Sequence, residues 1–175
     1  MVSQVTRLSN PYNDDKVRAA CAIFGVMDRS GRRFSPDGVV TAMINMHERG
    51  NGLGGGFAVY GLYPGYENCY AFHLLFTDPD VRPSVEAFLG NRFSVMLAEE
   101  MPYRHTRGIE NPPTVWRYFL SLDNTDTRGL GEEDYVVAQV MHINENFPGA
   151  FVMSSGKNMG VFKGVGFPEQ IAEYF

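Results

Sequence analysis

The apolar run from Cys21 to Met27, CAIFGVM, constrains the fold of this chain more than any other stretch. It contains no charged side chain, so an extended segment of this sequence has apolar residues on both faces. That pattern is typical of a central strand that is covered on each side. The sequence therefore predicts a buried strand over residues 21–28, followed by a tight turn over residues 28–32, Asp-Arg-Ser-Gly-Arg.

A helix that ends in a glycine-rich loop is predicted to follow this strand. Ser35 is interpreted as its N-cap, Pro36 as its first helical residue and Asp37 as a favourable charge near the positive end of the helix dipole. The apolar face of the helix consists of Val39, Val40, Met43, Met46 and His47. We expect that face to lie on a sheet, and we expect the helix to end at Gly50.

Strands and helices alternate along the rest of the chain. The predicted strands are Phe57 to Tyr63, Cys69 to Phe76, Phe93 to Leu97, Val115 to Leu122, Ala150 to Ser154 and Gly160 to Val165. The predicted helices are Asp80 to Gly90, Glu132 to Asn146 and Pro168 to Phe175. Turns at Pro64-Gly65 and at Gly156-Lys157-Asn158 predict that the strands on either side of each turn form a hairpin.

This order of elements indicates an α+β fold with antiparallel pairing and a helix layer over one or two sheets. No internal repeat and no low-complexity linker divides the sequence. We therefore predict an N-terminal extension over residues 1–20 and a single domain over residues 21–175.

Composition excludes several classes of function. The chain has 175 residues with 15 basic and 20 acidic side chains, a formal charge of -5 and no basic block, so no nucleic-acid partner is expected. No apolar run approaches the roughly 20 residues that cross a bilayer, and the N-terminus lacks the apolar core of a secretory signal. We therefore expect a cytoplasmic protein without a membrane partner. With two cysteines, no CxxC and no clustered His and Cys, we expect neither a metal nor another cofactor.

Two motifs resemble a known enzyme family. CAIFGVMDRSG, taken with MHERGNGLGGG, resembles the class II glutamine amidotransferases, and more narrowly the amidotransferase subunit of archaeal-type glutamate synthase. The resemblance implies an N-terminal nucleophile hydrolase-like fold, in which two antiparallel sheets lie between helix layers (αββα). It also implies a glutaminase that hydrolyses the side-chain amide of glutamine and supplies ammonia to a synthase partner in glutamine metabolism.

The resemblance implies that Cys21 is the nucleophile. In that family the cysteine becomes the first residue of the mature chain, its thiolate attacks the amide carbon, and its own α-amino group acts as base. An α-amine has an ordinary pKa of about 8, so it exchanges protons close to neutral pH. Residues 1–20 are then a propeptide that is removed by cleavage of the Ala20–Cys21 bond. The alternative, from the residues alone, is that Cys21 is a small buried residue that opens a core strand.

Arg49 and Gly50 match the RG motif of the same family, in which both residues lie beside the nucleophile. An arginine suits a site for a carboxylate-bearing amino acid, because its planar guanidinium stays charged and bonds bidentately. The alternative is a helix C-terminus, with Arg49 complementing the dipole and Gly50 at C′. The segment 50–55, GNGLGG, also matches G-x-G-x-x-G, but a helix precedes it and a strand follows, the reverse of a dinucleotide-binding turn. Its glycines are interpreted as allowing the backbone to pass close to the catalytic strand, or as allowing positive φ.

The resemblance covers only the N-terminal part of the family's domain. A further arginine motif, the Asn-Gly pair of the oxyanion hole and an acidic residue that binds the substrate amine have no matching position here, and Ala22 stands where the family has glycine. We therefore expect an incomplete domain whose missing half comes from a second chain, and an oligomer. The alternative function, from another class, is a non-catalytic binding or assembly subunit with the same fold.

The other candidate residues are interpreted as structural. The four histidines, His47, His73, His105 and His142, are scattered over different predicted elements. His47 borders the apolar helix face, so we expect it to pack against the protein rather than act as a base. Cys69 opens a predicted strand and is expected to lie in the core.

Overall fold

The computed structural model of the protein describes residues 22–49, 52–123 and 125–175. Within these ranges the chain has an α+β fold with antiparallel sheets. The strands are β1 (Gly55–Tyr60), β2 (Tyr70–Phe76), β3 (Ser94–Glu100), β4 (Thr114–Ser121), β5 (Ala150–Ser154) and β6 (Met159–Gly164). The helices are α1 (Asp37–Asn45), α2 (Arg82–Gly90), α3 (Glu132–Asn146) and α4 (Pro168–Tyr174), with short 3-10 helices at His47–Arg49 and Pro79–Val81.

The described strands form two separate antiparallel sheets. Four strands pair in the order β3-β4-β2-β5, and β1 pairs with β6 in a two-stranded ribbon. The central strand β2 is almost completely buried, because it has a neighbour on each side and a packed layer on each face. Its even-numbered residues, such as Phe72 and Leu74, lie on one face of the sheet, and its odd-numbered residues, such as His73, lie on the other.

The two faces of the four-stranded sheet are covered by different elements. The face that carries Phe72 and Leu74 packs against α2 and α3 through Val85, Leu89 and Ile143, and these residues form the largest buried cluster. The opposite face packs against the ribbon, in a cluster that contains Val115, Met153, Phe57 and Phe162. Helix α4 contacts both strands of the ribbon, and α1 contacts α4. The ribbon thus lies between the larger sheet and α4.

Helix positions follow the local sequence closely. Helix α3 covers Glu132–Asn146, and α4 starts at Pro168, as predicted. The Asp78 carboxylate accepts a hydrogen bond from the backbone N–H of Asp80, at 3.0 Å, and so caps the turn that leads into α2. At 15 residues α3 is the longest described helix, and no helix among the described residues is long and apolar enough to cross a membrane.

Helix α1 differs from its prediction at both ends and in its packing partner. It begins at Asp37, whose backbone N–H donates to the Ser35 hydroxyl at 3.3 Å, and it ends at Asn45, before the 3-10 turn. Its most buried residue, Met43, lies on the predicted apolar face. That face was expected on a sheet, but α1 packs on α4, because α4 already covers the ribbon.

Both predicted hairpins are wrong. The strands on either side of Pro64-Gly65 belong to different sheets, since β1 pairs with β6 whereas β2 pairs with β4 and β5. The same holds for β5 and β6 around residues 156–158. The turns themselves form, with Tyr66 N–H donating to Tyr63 C=O at 3.1 Å. Asn158 connects the two crossovers, because its backbone and side-chain oxygens accept hydrogen bonds from Gly61 and Tyr63. A turn sequence fixes a reversal of the chain but not the sheet that the next strand joins.

The predicted buried strand over residues 21–28 is also wrong for the part that is described. Residues 22–28 form no strand, and Ile23 and Met27 are 96% and 78% exposed. Cys21 lies outside the described residues. An apolar run forms a buried strand only where a neighbouring strand pairs with it. No described strand pairs with this segment. The turn that follows is confirmed, with Gly31 N–H donating to Asp28 C=O at 3.1 Å.

Substitution of Gly56 is expected to destabilise the ribbon. A Cβ at this position in β1 would lie 2.5 Å from the backbone oxygen of Phe162 in β6, a distance that real Cβ atoms do not show. We expect Gly56→Ala to lower the free energy of unfolding by about 1–3 kcal/mol, the range of overpacked sites. Urea unfolding measures the change. Gly54→Ala is the matched control, because its Cβ would meet the Gly164 oxygen at an ordinary 3.7 Å; equal losses in both variants would contradict the prediction.

Candidate functional site

The structure describes one of the three predicted catalytic residues. Cys21 and Gly50 lie outside the described residues. Arg49 ends the 3-10 helix His47–Arg49 and is exposed to solvent. The catalytic roles of these three residues therefore stay predictions.

The helical turn that carries Arg49 is held against the start of α4. The His47 Nδ1 and Glu169 Oε1 atoms lie 2.6 Å apart, and the His47 ring stacks on Phe167 with ring centroids 4.2 Å apart. These contacts confirm that His47 packs against the protein. They also fix the backbone position from which the Arg49 side chain extends.

The glycines that follow Arg49 allow the loop to approach α4 closely. Gly52 has φ of +73°, and a Cβ there would lie 3.3 Å from the Phe167 ring. A Cβ at Gly55 would lie 3.3 Å from the Cα atom of Pro168. The predicted positive φ is confirmed at Gly52. The close approach was predicted toward the strand that opens with Cys21, whereas this loop lies against the start of α4.

His73, in the centre of β2, is a titratable group that lies completely inside the protein. Its exposed fraction is 0%. The antiparallel register places Arg117 of β4 opposite His73, and Glu99 of β3 opposite Arg117. Ser154 of β5 pairs with His73 from the other side. These four residues, here called the His73 row, cross all four strands of the larger sheet.

Tyr63 joins the row from the crossover between β1 and β2. Its hydroxyl oxygen lies 2.6 Å from His73 Nε2. The Arg117 guanidinium lies over the Tyr63 ring, with Cζ 5.0 Å from the ring centroid. Arg117 also donates to Glu99, from Nε at 3.0 Å and from Nη2. A continuous set of polar contacts thus leads from a partly exposed carboxylate to a completely buried imidazole.

Burial and the contacts within the row together determine which of its side chains are charged. Burial, followed by the positive charge of Arg117, lowers the pKa of His73 from 6.5 to about 4, while the backbone of Val161 acts in the opposite direction. Burial raises the pKa of Tyr63, and its contact with Arg117 partly offsets this. Burial lowers the pKa of Arg117, but its bonds to Glu99 and Tyr63 outweigh burial and raise the pKa overall. At neutral pH, a neutral imidazole and a neutral phenol therefore lie beside one ion pair.

Protonation of His73 is expected to destabilise the folded state, because the imidazole is buried in its neutral form. The Nδ1 atom of His73 is buried and has no hydrogen-bond partner among the described residues, and the backbone of Val161 only partly offsets the effect of burial on the pKa of this ring. The sequence alone does not predict this row, because the four histidines lie on different predicted elements. A signal was present, because His73 lies between Phe72 and Leu74 in a strand with apolar residues on both faces, where any orientation buries it.

Cys69, the other cysteine, is confirmed as a core residue. It is 9% exposed and packs with Tyr63 and Phe119. Burial, followed by the charge of Asp123, raises the pKa of its thiol, so the reactive thiolate is disfavoured. Within the ranges that the structure describes, no three His, Cys, Asp or Glu side chains cluster so that they could hold a metal ion.

Comparison with known proteins identifies an archaeal relative. No protein-family model matches the chain. An uncharacterized protein of Archaeoglobus fulgidus is 54% identical over 164 residues, which are 92% of this chain and 43% of that protein. The chain therefore spans less than half the length of the relative that it matches. The description of the relative names no activity, so the similarity supports no particular reaction.

Proposed function

We propose that this chain is a glutaminase component of the class II amidotransferase type, which works in the cytoplasm with a synthase partner in the manner of glutamate synthase. The observation that carries the proposal is the pair of motifs CAIFGVMDRSG and MHERGNGLGGG, separated by one helix and followed by a strand. Helix α1 is the helix between the two motifs, and strand β1 begins at Gly55, near the end of the second motif. The proposal assigns catalytic roles to Cys21, Arg49 and Gly50.

The packing of the described elements is compatible with this proposal. Helices α2 and α3, the four-stranded sheet, the ribbon and α4 follow one another in that order. An N-terminal nucleophile hydrolase has the same order of helix, sheet, sheet and helix. A two-stranded ribbon is a small sheet for such a layer, and a further strand at its edge would enlarge it. Residues 22–27, which are apolar and exposed, provide a segment of suitable composition.

The bonds that form and break in the proposed chemistry involve Cys21, glutamine and water. The Cys21 thiolate attacks the side-chain amide carbon of glutamine, the C–N bond breaks, and ammonia leaves with a proton taken up by the α-amine. Water then attacks the glutamyl thioester, which releases glutamate and restores the thiol. Arg49 would bind the substrate carboxylate through its guanidinium. Ammonia passes to the synthase subunit.

A non-catalytic binding or assembly subunit is the second candidate, and one observation favours it. Residues 22–28, which follow Cys21 in the sequence, form no strand and pair with none of the described strands. A catalytic group must be held within a fraction of an ångström of its working position to be effective. In this second reading the exposed apolar residues 22–27 bind a partner chain.

Two measurements on the full chain separate these functions. Ammonia release from glutamine is assayed for the chain alone and together with a candidate synthase subunit. Mass spectrometry of the same sample determines whether the chain begins at Met1 or at Cys21. Ammonia release by a chain that begins at Cys21 supports the glutaminase. Ammonia release by an intact Met1 chain contradicts the free-amine mechanism. If no ammonia is released with any partner, the result supports the non-catalytic assembly subunit.

A further inference from the structure

A polar cavity lies on the side of the molecule where the end of α2 meets α3. Its volume is about 300 Å³. Arg92 follows α2, Arg128 lies in the turn before α3, and His142 lies on α3 itself; Thr127, Tyr135 and Gln139 complete its polar lining. No aspartate or glutamate is among the described residues that line it. A cavity of this size is at the lower end of the range for small-molecule sites.

The two arginines of this cavity have no carboxylate partner among the described residues. By contrast, Arg82 forms an ion pair with Glu86, and Arg117 forms one with Glu99. In a chain with a formal charge of -5, two unpaired guanidiniums at one cavity create a local positive potential that opposes the net charge. Such a potential favours anionic ligands.

Arg92 provides the second observation that points to a ligand. Its Nε atom is buried and has no hydrogen-bond partner among the described residues. A buried guanidinium N–H without an acceptor is costly, and native structures usually provide an acceptor for such a group. Arg92 lines the cavity, so an anion bound there would lie beside this guanidinium and offset part of that cost.

The remaining contacts hold the cationic groups in place. The guanidinium of Arg92 lies over Phe88, with Cζ 5.5 Å from the ring centroid, and the His142 ring stacks on Phe88 with centroids 4.7 Å apart. Arg128 belongs to a turn closed by a hydrogen bond from Leu130 N–H to Thr127 C=O, at 3.1 Å, and its own N–H donates to Asp126 Oδ1 at 2.9 Å. Neither arrangement uses the guanidinium N–H groups of Arg92 or Arg128.

We propose that this cavity binds a small oxyanion, the chemistry shared by a phosphate group and a carboxylate, with Arg92 and Arg128 as its main ligands. The planar guanidinium presents paired N–H donors that match two oxygens of either group. The site lies apart from Cys21 and Arg49 in the sequence and does not depend on the glutaminase proposal.

Calorimetric titration of the full chain tests the site, with inorganic phosphate in one arm and succinate in the other, at constant ionic strength set by chloride. We expect saturable binding of at least one probe. Loss of one charge-assisted interaction should weaken it about tenfold or more in Arg92→Gln and in Arg128→Gln. Arg104→Gln is the matched control, because Arg104 is exposed and does not line the cavity, and it should bind like the wild type.

The outcomes distinguish the possible ligands and can overturn the proposal. Stronger binding of phosphate identifies a phosphorylated ligand, and stronger binding of succinate identifies a carboxylate. If the Arg92 variant fails to fold, Arg128→Gln decides alone, because Arg128 lies on a surface turn. The proposal is wrong if neither probe saturates the wild type, or if Arg128→Gln binds as tightly as the Arg104 control.

Discussion

Replacement of Cys21 by alanine is expected to lower the rate of ammonia release from glutamine by about a thousandfold or more, the loss that follows removal of a covalent nucleophile. Without sulfur no thioester forms, and the α-amine has no thiol from which to take a proton. Cys21→Ser should keep a small rate, because a hydroxyl is a weaker nucleophile with the same base nearby. The measurement is the initial rate of ammonia release at saturating glutamine.

Cys69→Ala is the control for this experiment. Cys69 is buried, and the raised pKa of its thiol makes it a poor nucleophile, so its replacement should leave the rate unchanged once folding is verified. A chain that loses its activity with Cys69→Ala but keeps it with Cys21→Ala would reverse the assignment. A rate that survives both substitutions would exclude a cysteine mechanism.

The elements of this fold could be predicted where local sequence decides them. Helix α3 has the bounds that its apolar spacing indicates, and Pro168 begins α4 because its fixed φ and missing N–H suit the first helical position. The turns at Asp28 and at Pro64 form for the same kind of reason, since the preferences of their own residues are sufficient. In each case the relevant interactions lie within a few residues of one another.

The pairing of the strands could not be predicted, because it depends on residues far apart in the sequence. β1 pairs with β6, about a hundred residues later, although a turn-like sequence suggested β2. Gly56 allows β1 to pack closely against β6, but the need for a glycine there becomes visible only when the two strands are placed side by side. The apolar run after Cys21 shows the same limit, because its composition predicts burial and its partner is not encoded nearby.

The candidate site also has a part that the sequence predicts and a part that only the structure shows. Cys21, Arg49 and Gly50 were predicted from motifs, whereas the His73 row was missed, because Glu99, Arg117 and His73 come together only through the register of three strands. Tyr63 adds a contact from the crossover between β1 and β2, where the turn sequence predicts a hairpin. The buried chemistry of this protein is therefore a product of sheet pairing.

His73 is expected to make the folded protein sensitive to acid. Its pKa is 6.5 in the unfolded chain and about 4 in the folded one, so below the unfolded value the unfolded chain binds a proton that the folded chain does not. Its stabilising contribution is complete above the unfolded pKa and is lost as the pH falls from 6.5 toward 4. The loss amounts to about 3 kcal/mol. Urea unfolding at about pH 7.5 and about pH 4 measures it as a difference in unfolding free energy.

His73→Gln separates this effect from the titration of other groups. Glutamine keeps a polar group near the Tyr63 hydroxyl but does not titrate, so the loss of unfolding free energy on acidification should be smaller than in the wild type by about 3 kcal/mol. Phe162→Leu is the matched control, because Phe162 packs against the His73 ring at 5.3 Å between centroids and its replacement weakens the same core without removing the imidazole. Leucine still covers the imidazole with an apolar side chain, so this variant should keep most of the acid sensitivity. If His73→Gln and Phe162→Leu lose the same unfolding free energy between the two pH values, the imidazole is not the group responsible, because only one of the two variants lacks it.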